Sequence, residues 1–368
     1  MAARESEHDA DRFAELARYS RQMSFEGIGA AGQRRLRQAS ITLVGCGALG
    51  SVMANTLVRA GVGSLRIIDR DFIELNNLQR QVLFDEHDIA QNLPKAEAAA
   101  RKLHKVNSAV EVEGIVADLN PGNALAYCGD ADLLLDGTDN LETRFLVNDV
   151  AVKQDIPWVY GACVGAEGLV LGIHPHQTPC LRCIWDTPPP PGTLPTCDTV
   201  GVLAPIVNIV ASLQVTAALQ KVAGTNSEKT PDPFFGRLLT VDAWAGRMRS
   251  VNVQSAYDEG DCPCCQHARF DYLAGARIAT TTTLCGRDAV QIMPPEDLVV
   301  NFRAIAERLP ARAGAKYNEF MLKFKTAAAA GAAGAEYAIT LFSDGRAIVQ
   351  GTADPTVARG VLAKYVGT

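Results

Sequence analysis

Apolar residues first recur with a helical period over residues 1–38, where Phe13, Leu16 and Ala17 share one side and arginines the other. The pattern then shortens. Residues 41–44 form an apolar run too brief for a helix and lead straight into glycines. Residues 51–60 resume the helical period, and residues 65–68 make a second apolar run that ends at Asp69. Strand, turn, helix, strand is a βαβ unit, which predicts a parallel sheet. The rhythm continues with a helix over 95–106 and strands over 110–116, 133–135, 157–160 and 169–173. The proline-rich stretch 188–195 cannot pair in a central sheet and reads as an extended loop. Residues 204–222 follow as a long apolar helix.

Past Ala268 the composition changes. A strand is expected over 281–292, a helix over 298–309, and strands over 337–341 and 347–350 around the turn Ser343-Asp344-Gly345-Arg346. Residues 353–366 would close the chain as a helix, and the Ala/Gly tract 326–335 reads as a loop or a helix end. The expected fold is α/β: a doubly wound, mostly parallel Rossmann-like sheet over 1–267, then a small C-terminal α+β module over 268–368.

Charge and composition narrow the function. A chain of 368 residues with 48% hydrophobic and 21% charged residues can build one large and one small domain. The net charge of −6 leaves no dominant basic field, so no nucleic-acid partner is expected, although local cations can still hold phosphates. Residues 1–18 lack the apolar core of a signal peptide, and no run reaches the roughly 18 apolar residues of a membrane span. These features read as a cytoplasmic chain with no membrane partner. Thiols stay reduced there, so the 10 cysteines point to metal ligation or thiol chemistry rather than to disulfides.

The densest motif is Gly45-Cys46-Gly47-Ala48-Leu49-Gly50, between a strand and a helix. Glycines permit the tight turn and let phosphates approach a helix N-terminus. Asp69, ending the next strand, is placed for ribose hydroxyls. That pattern alone is generic. Polar groups then cluster at the loops that follow strands: Asn76-Asn77-Leu78-Gln79-Arg80-Gln81, Lys95 after Pro94, and Asp136-Gly137-Thr138-Asp139-Asn140. Arg18-Tyr19-Ser20-Arg21-Gln22 adds two more cations. Each cation by itself reads as a solvated surface charge. Together with a carboxylate they suit ATP with Mg2+ better than a nicotinamide cofactor. Asp139 would hold the Mg2+, and Arg21, Arg80 and Lys95 the phosphates. A carboxylate attacking the α-phosphorus is already ionised, so charge neutralisation rather than a general base is what such a site must supply.

Cys180-Leu181-Arg182-Cys183 and Cys262-Pro263-Cys264-Cys265 are two distant pairs, each able to present two thiolates to one tetrahedral ion. They predict a structural Zn2+ site on Cys180, Cys183, Cys262 and Cys265, with Cys264 as an alternative ligand. Cys197, just past the prolines, is either an inert loop cysteine or an exposed thiol for acyl or sulfur transfer. Cys46, Cys128, Cys163 and Cys285 lie in apolar or glycine-rich surroundings and read as small buried hydrophobes.

In combination, residues 18–22, the glycine loop, Asp69 through Gln81, Lys95, residues 136–140 and the two cysteine pairs resemble the ubiquitin-activating superfamily. The similarity is to its bacterial branch, the MoeB/ThiF-type sulfur-carrier adenylyltransferases, and it runs in order over roughly the first 270 residues. The resemblance implies that Gly45, Gly47, Gly50, Asp69, Asn77, Arg80, Lys95 and Asp139 bind ATP and Mg2+. It implies that Arg21 reaches into a partner subunit, hence a homodimer. It implies that Cys197 links to the carrier in the sulfur step, and that the partner is a ubiquitin-like sulfur carrier ending in Gly-Gly, served by a sulfur-donor protein. A narrow channel to the α-phosphate suits a tail without Cβ atoms. The region after Ala268 is outside the minimal family pattern. Competing readings are a nicotinamide-dependent oxidoreductase, which leaves Arg21, Arg80, Lys95 and Asp139 without a shared task, a non-catalytic scaffold, and a relative adenylating a small molecule such as a modified tRNA base.

Overall fold

The computed structural model describes residues 16–188, 197–224, 232–275, 281–284, 288–293, 300–310, 313–327 and 336–366. The chain divides into two compact units, Met1–Ala276 and Arg277–Thr368.

The first unit is built on an eight-stranded sheet. Its strands are β1 (Ser40–Val44), β2 (Ser64–Ile68), β3 (Glu111–Ile115), β4 (Leu133–Asp136), β5 (Trp158–Val164), β6 (Glu167–Ile173), β7 (Arg237–Asp242) and β8 (Arg247–Asn252). They lie in the order β3-β2-β1-β4-β5-β6-β7-β8. Strands β3 to β5 pair parallel, and β5 to β8 pair antiparallel. The order reverses between β1 and β4, the place where open α/β sheets bind ligands. The apolar pattern exposes the parallel half, because β1 and β4 are buried on both faces and read as continuous runs. It does not expose β7 and β8. Every residue of β8 is exposed, so no apolar alternation marks it.

Two expectations about helices change. Residues 16–38 do not form one helix; Ser20–Met23 and Gly29–Leu36 are separate, and Gly29 takes a left-handed φ of 59° between them. Phe13 lies outside the described residues. The 20-residue helix Ala204–Ala223, with mean hydropathy 1.4 over an 18-residue stretch, is long and apolar enough to cross a membrane, contrary to the expectation that no run qualifies. Its apolar side is used in the core, where Ile206, Val207, Val210, Ala211 and Val215 are buried with Leu43, Met53 and Val170.

What positions the site is a three-way backbone approach. A Cβ on Gly50 would stand 2.0 Å from the Gly45 carbonyl oxygen, and one on Gly137 would stand 2.4 Å from the same atom. Gly45 itself has φ +88°. The helix Ala48–Ala60 and the end of β4 therefore both rest directly on the turn after β1, which only glycine allows.

Beneath that crossing lies a buried charge pair. The Asp136 carboxylate accepts from Arg144 Nε at 3.0 Å, and from the Thr138 N–H and hydroxyl at 2.9 and 2.7 Å. Arg144 Nη2 donates to the carbonyls of Thr138 and Gly161 at 2.6 and 3.0 Å. Burial pushes Asp136 up, against the pull of Arg144. The pair fixes the loop that carries Asp139.

The second unit is a six-stranded antiparallel sheet. It contains β9 (Thr281–Leu284), β10 (Ala289–Ile292), β11 (Lys316–Tyr317), β12 (Met321–Ala327), β13 (Glu336–Phe342) and β14 (Ala347–Gln350), in the order β11-β12-β13-β14-β10-β9. The strand expected over 281–292 is two antiparallel strands, and Asp288 has φ 44° just before the second. Helices Phe302–Arg308 and Pro355–Val366 contribute Phe302, Ile305, Ala358, Val361 and Leu362 to a core shared with Val290, Leu322, Ile339 and Val349.

Replacing Arg144 by leucine would strand a buried carboxylate, so Arg144→Leu is expected to cost about 3–5 kcal/mol. Urea unfolding checks this. A loss below about 1 kcal/mol would show that the pair is not desolvated in solution.

Candidate active site

The loops after β1, β2 and β4 converge on one face of the sheet. Gly47 is the N-cap of the helix Ala48–Ala60 and has no side chain to satisfy its amides, leaving them for a ligand. Asp69, at the end of β2, accepts from the Cys46 N–H at 2.6 Å and from the Asp71 N–H at 2.7 Å. A carboxylate offers about four acceptor positions, so Asp69 keeps capacity for a ligand's hydroxyls. Burial raises its pKa, with Lys95 opposing.

Lys95 opens the helix Lys95–Val106 and is only 4% exposed. Its Nζ lies 3.1 Å from Asp71 Oδ2, and its N–H donates to the Asp71 carbonyl at 2.9 Å. Burial would lower its pKa, but Asp71, Asp69 and Asp139 outweigh that and hold it above the usual lysine range. Arg70 pairs with Asp118 at 2.8 Å and is held up, against its burial, by Asp118, Asp71 and Asp139. Asp139 itself is exposed at the tip of its loop. Its neighbours are committed elsewhere, since Asp136 is paired with Arg144 and the Asn140 side chain caps the helix Leu141–Gln154.

Asn77 is buried and works within its own loop, accepting from the Glu74 N–H at 3.0 Å and donating to Asn76 Oδ1 at 2.9 Å. Arg80 is half-buried and donates from Nη1 to the Asn76 carbonyl at 2.8 Å. Beside it, Gln81 is buried with its Oε1 unpaired, and its Nε2 is 3.9 Å from where a Gly47 Cβ would stand. An unsatisfied buried acceptor next to a glycine turn fits a site that a ligand completes.

The structure thus brings together Gly45, Gly47, Gly50, Asp69, Lys95 and Asp139, with Asn77 and Arg80 on the adjoining loop. It does not bring Arg21. Tyr19 is buried against Gly61, where a Cβ would meet its ring at 2.3 Å, and its hydroxyl accepts from Asn107 Nδ2 at 2.7 Å. Gln22 Nε2 donates to the Ala60 carbonyl at 2.9 Å. Segment 18–22 is therefore pinned to the far end of the helix Ala48–Ala60, about 20 Å along its axis from the glycine loop. Arg21 points to solvent there and pairs with none of the described residues. Sequence motifs also do not single out Asp71 and Arg70; their spacing from Asp69 on one loop is the signal that could have.

The cysteine pairs meet. Sγ atoms of Cys180, Cys183, Cys262 and Cys265 all lie within 4.8 Å of one another, with Cys180–Cys262 at 3.6 Å and Cys183–Cys265 at 3.4 Å. Four sulfurs about 2.3 Å from a tetrahedral ion stand about 3.8 Å apart, so the cluster has the dimensions of a zinc site. Cys264 is outside that set of four: it lies within hydrogen-bonding reach of Cys180, but its thiol also accepts from Asn148 Nδ2 at 3.3 Å and donates to Asp149 Oδ1 at 3.5 Å. Cys46 and Cys128 are buried as expected, whereas Cys163 is half-buried and Cys285 lies outside the described residues. Cys197 begins the short helix Cys197–Val200 and donates to the Cys163 carbonyl at 3.2 Å; residues 189–196 before it lie outside the described residues.

With this geometry in hand, likeness to known proteins becomes informative. The chain is 39% identical over 352 residues to the sulfur carrier protein ThiS adenylyltransferase of Bacillus subtilis, covering 95% of this chain and 99% of that one. It is 38% identical over 257 residues to the sulfur carrier protein adenylyltransferase of Thermus thermophilus, covering 68% of this chain and 91% of that one. Among solved structures, Escherichia coli MccB with ATP matches with a TM-score of 0.55 and 25% identity, over 64% of this chain and 71% of that one. The sequence profile of the ThiF family matches residues 19–264, and the chain belongs to that family.

Proposed function

We propose that the protein uses ATP to adenylate the C-terminal Gly-Gly carboxylate of a ubiquitin-like sulfur-carrier protein, releasing pyrophosphate and readying the carrier for conversion to a thiocarboxylate. The observation that carries this reading is Lys95, buried among Asp69, Asp71 and Asp139 at the β1/β4 switch point, with the Asp139 carboxylate free at the loop tip. The two sulfur-carrier adenylyltransferases named above support it.

In this reading the Gly45–Gly50 turn cradles the phosphates and Asp69 binds ribose hydroxyls. Lys95 and Arg80 neutralise the triphosphate, and Asp139 holds a Mg2+ that supplies further positive charge where the carboxylate must approach. The carrier's carboxylate attacks the α-phosphorus without needing a base. A nicotinamide cofactor would leave Lys95 and Asp139 without a shared task.

Arg21 cannot reach the site of its own chain, so it serves the site of a second copy in a homodimer. Cys180, Cys183, Cys262 and Cys265 hold a structural Zn2+ that ties residues 180–183, beside the sheet, to residues 262–265. Cys197 takes part in the later sulfur step with a sulfur-donor protein. The free thiols of the nine described cysteines suit the cytoplasm.

Two experiments test these roles. Asp139→Ala and Arg21→Ala should each lower ATP–pyrophosphate exchange at least about 100-fold. Co-expressed at equal levels, the two inactive variants should recover about a quarter of wild-type exchange, because half of the dimers contain one intact composite site. Undiminished exchange in Asp139→Ala would remove that residue from the site, and failure of the mixture to recover would rule out the cross-subunit role. Separately, the purified chain should hold one zinc per subunit. Cys183→Ser should lose it while Cys264→Ser keeps it, and the reverse pattern would reassign the ligands.

A further inference from the structure

The reading above leaves Cys163 without a task. It sits near the end of β5, half-buried, and lines a cavity of about 480 Å³ with Glu167, Leu169, Thr240, Asp242 and Arg249. Cys197 comes directly onto it, with its thiol donating to the Cys163 carbonyl at 3.2 Å. Both residues belong to one anchored patch. The Gly165 N–H donates to the Gly201 carbonyl at 2.9 Å, and the Leu203 N–H donates to the Gly165 carbonyl at 2.9 Å. The Cys163 thiol itself faces the Ile206 carbonyl at 3.9 Å; its oxygen and sulfur hang from atoms bonded to the same Cα, so a side-chain rotation that gives up this weak contact turns the sulfur toward Cys197. The other described cysteines are committed, four to the cluster, Cys264 to Asn148 and Asp149, and Cys46 and Cys128 to the core.

We propose that Cys163 is the resolving thiol for Cys197. This rests on the assignment of Cys197 to the sulfur step. A persulfide on Cys197, supplied by a persulfide-donor protein, attacks the acyl-adenylate, releases AMP and leaves the carrier joined as an acyl disulfide, C(O)–S–S–Cys197. The Cys163 thiolate then attacks the Cys197 sulfur. A Cys163–Cys197 disulfide forms, the acyl-side S–S bond breaks, and its electron pair leaves on the carrier as the thiocarboxylate. The Cys163 proton goes to solvent. A dithiol reductant of the thioredoxin class returns the pair to two thiols, becoming a disulfide itself.

Burial pushes the Cys163 thiol up to about 12, with the Cys197 charge adding to this and Arg144 opposing it. The resting thiol is therefore protonated and inert. Once Cys197 is in a disulfide its charge is gone, which removes one of the two obstacles.

The test is a single turnover with carrier, Mg-ATP and a persulfide-donor protein, quenched without reductant and read by intact mass. Cys163→Ser and Cys163→Ala should both accumulate the carrier–Cys197 conjugate at least about tenfold longer than wild type. Conjugate decay in wild type should rise about tenfold per pH unit from 7 to 9, following the thiolate fraction. Non-reducing peptide mapping of wild type should find the Cys163–Cys197 disulfide in proportion to thiocarboxylate released. Conjugate that decays equally fast in wild type and both variants, or release without that disulfide, overturns the role of Cys163. Absence of any conjugate in all three proteins overturns it differently, by showing that Cys197 never carries the acyl group.

Discussion

The structure depends on the near-contact of three glycines. Gly50 and Gly137 both press on the carbonyl of Gly45, closer than any Cβ could tolerate. This lets the first helix and the end of β4 share the space just beyond β1. Every group of the candidate site is referenced to that crossing. The loop after β4 sets off from it toward Asp139, and the helix N-terminus presents its amides there. Asp69 is tied to the same turn through the Cys46 N–H. The buried Asp136–Arg144 pair stiffens the arrangement from below, where low polarity makes an unpaired charge expensive.

Around this frame the electrostatics are arranged in two tiers. Carboxylates that shape the backbone are saturated: Asp136 by Arg144 and Thr138, and Asp69 in part by two amides. Groups suited to a ligand are held back. Lys95 rests on Asp71 and stays charged despite its burial, and Asp139 stands clear at the loop tip. A polyphosphate with its cation would take up Lys95 and Asp139 at once, which is why a site that needs no base can still be demanding about charge.

The cysteines divide by the same logic of commitment. Four converge within zinc dimensions, while Cys264, which the sequence places between two of them, is held beside Cys180 by Asn148 and Asp149. Cys163 lines a cavity on the antiparallel side of the sheet, and Cys197 donates to its carbonyl. One chain thus keeps the sulfurs of the cluster and the Cys163–Cys197 contact as two separate groups.

Local chemistry made a good part of this legible. Continuous apolar runs of β1 and β4 announce a parallel sheet, because strands buried on both faces leave no alternation to misread, whereas β2 is interrupted by the ion-paired Arg66. The glycine loop, Asp69 and residues 136–140 could be placed at strand ends and Lys95 at a helix start from the local pattern, and the spacing of the two cysteine pairs announced one cluster. The edge strand β8 could not, since it is exposed throughout and carries no periodic signal, and β7 beside it buries only Leu239 and Val241. Nor could the partners: that Lys95 meets Asp71, that Cys264 meets Asp149 and that Cys163 touches Cys197 are contacts across 24 to 115 positions, and even the Asp136–Arg144 pair, eight residues apart, depends on how the helix Leu141–Gln154 packs. Arg21 shows the limit most plainly. Its motif sits beside the others in any reading of residue types, but Tyr19 and Gln22 anchor it at the opposite end of a 13-residue helix. The sequence by itself determined which elements form and which chemistry they carry, because period and residue type are local properties. Only the tertiary structure decided which of those groups meet, because the distance between them is set by packing and not by position along the chain.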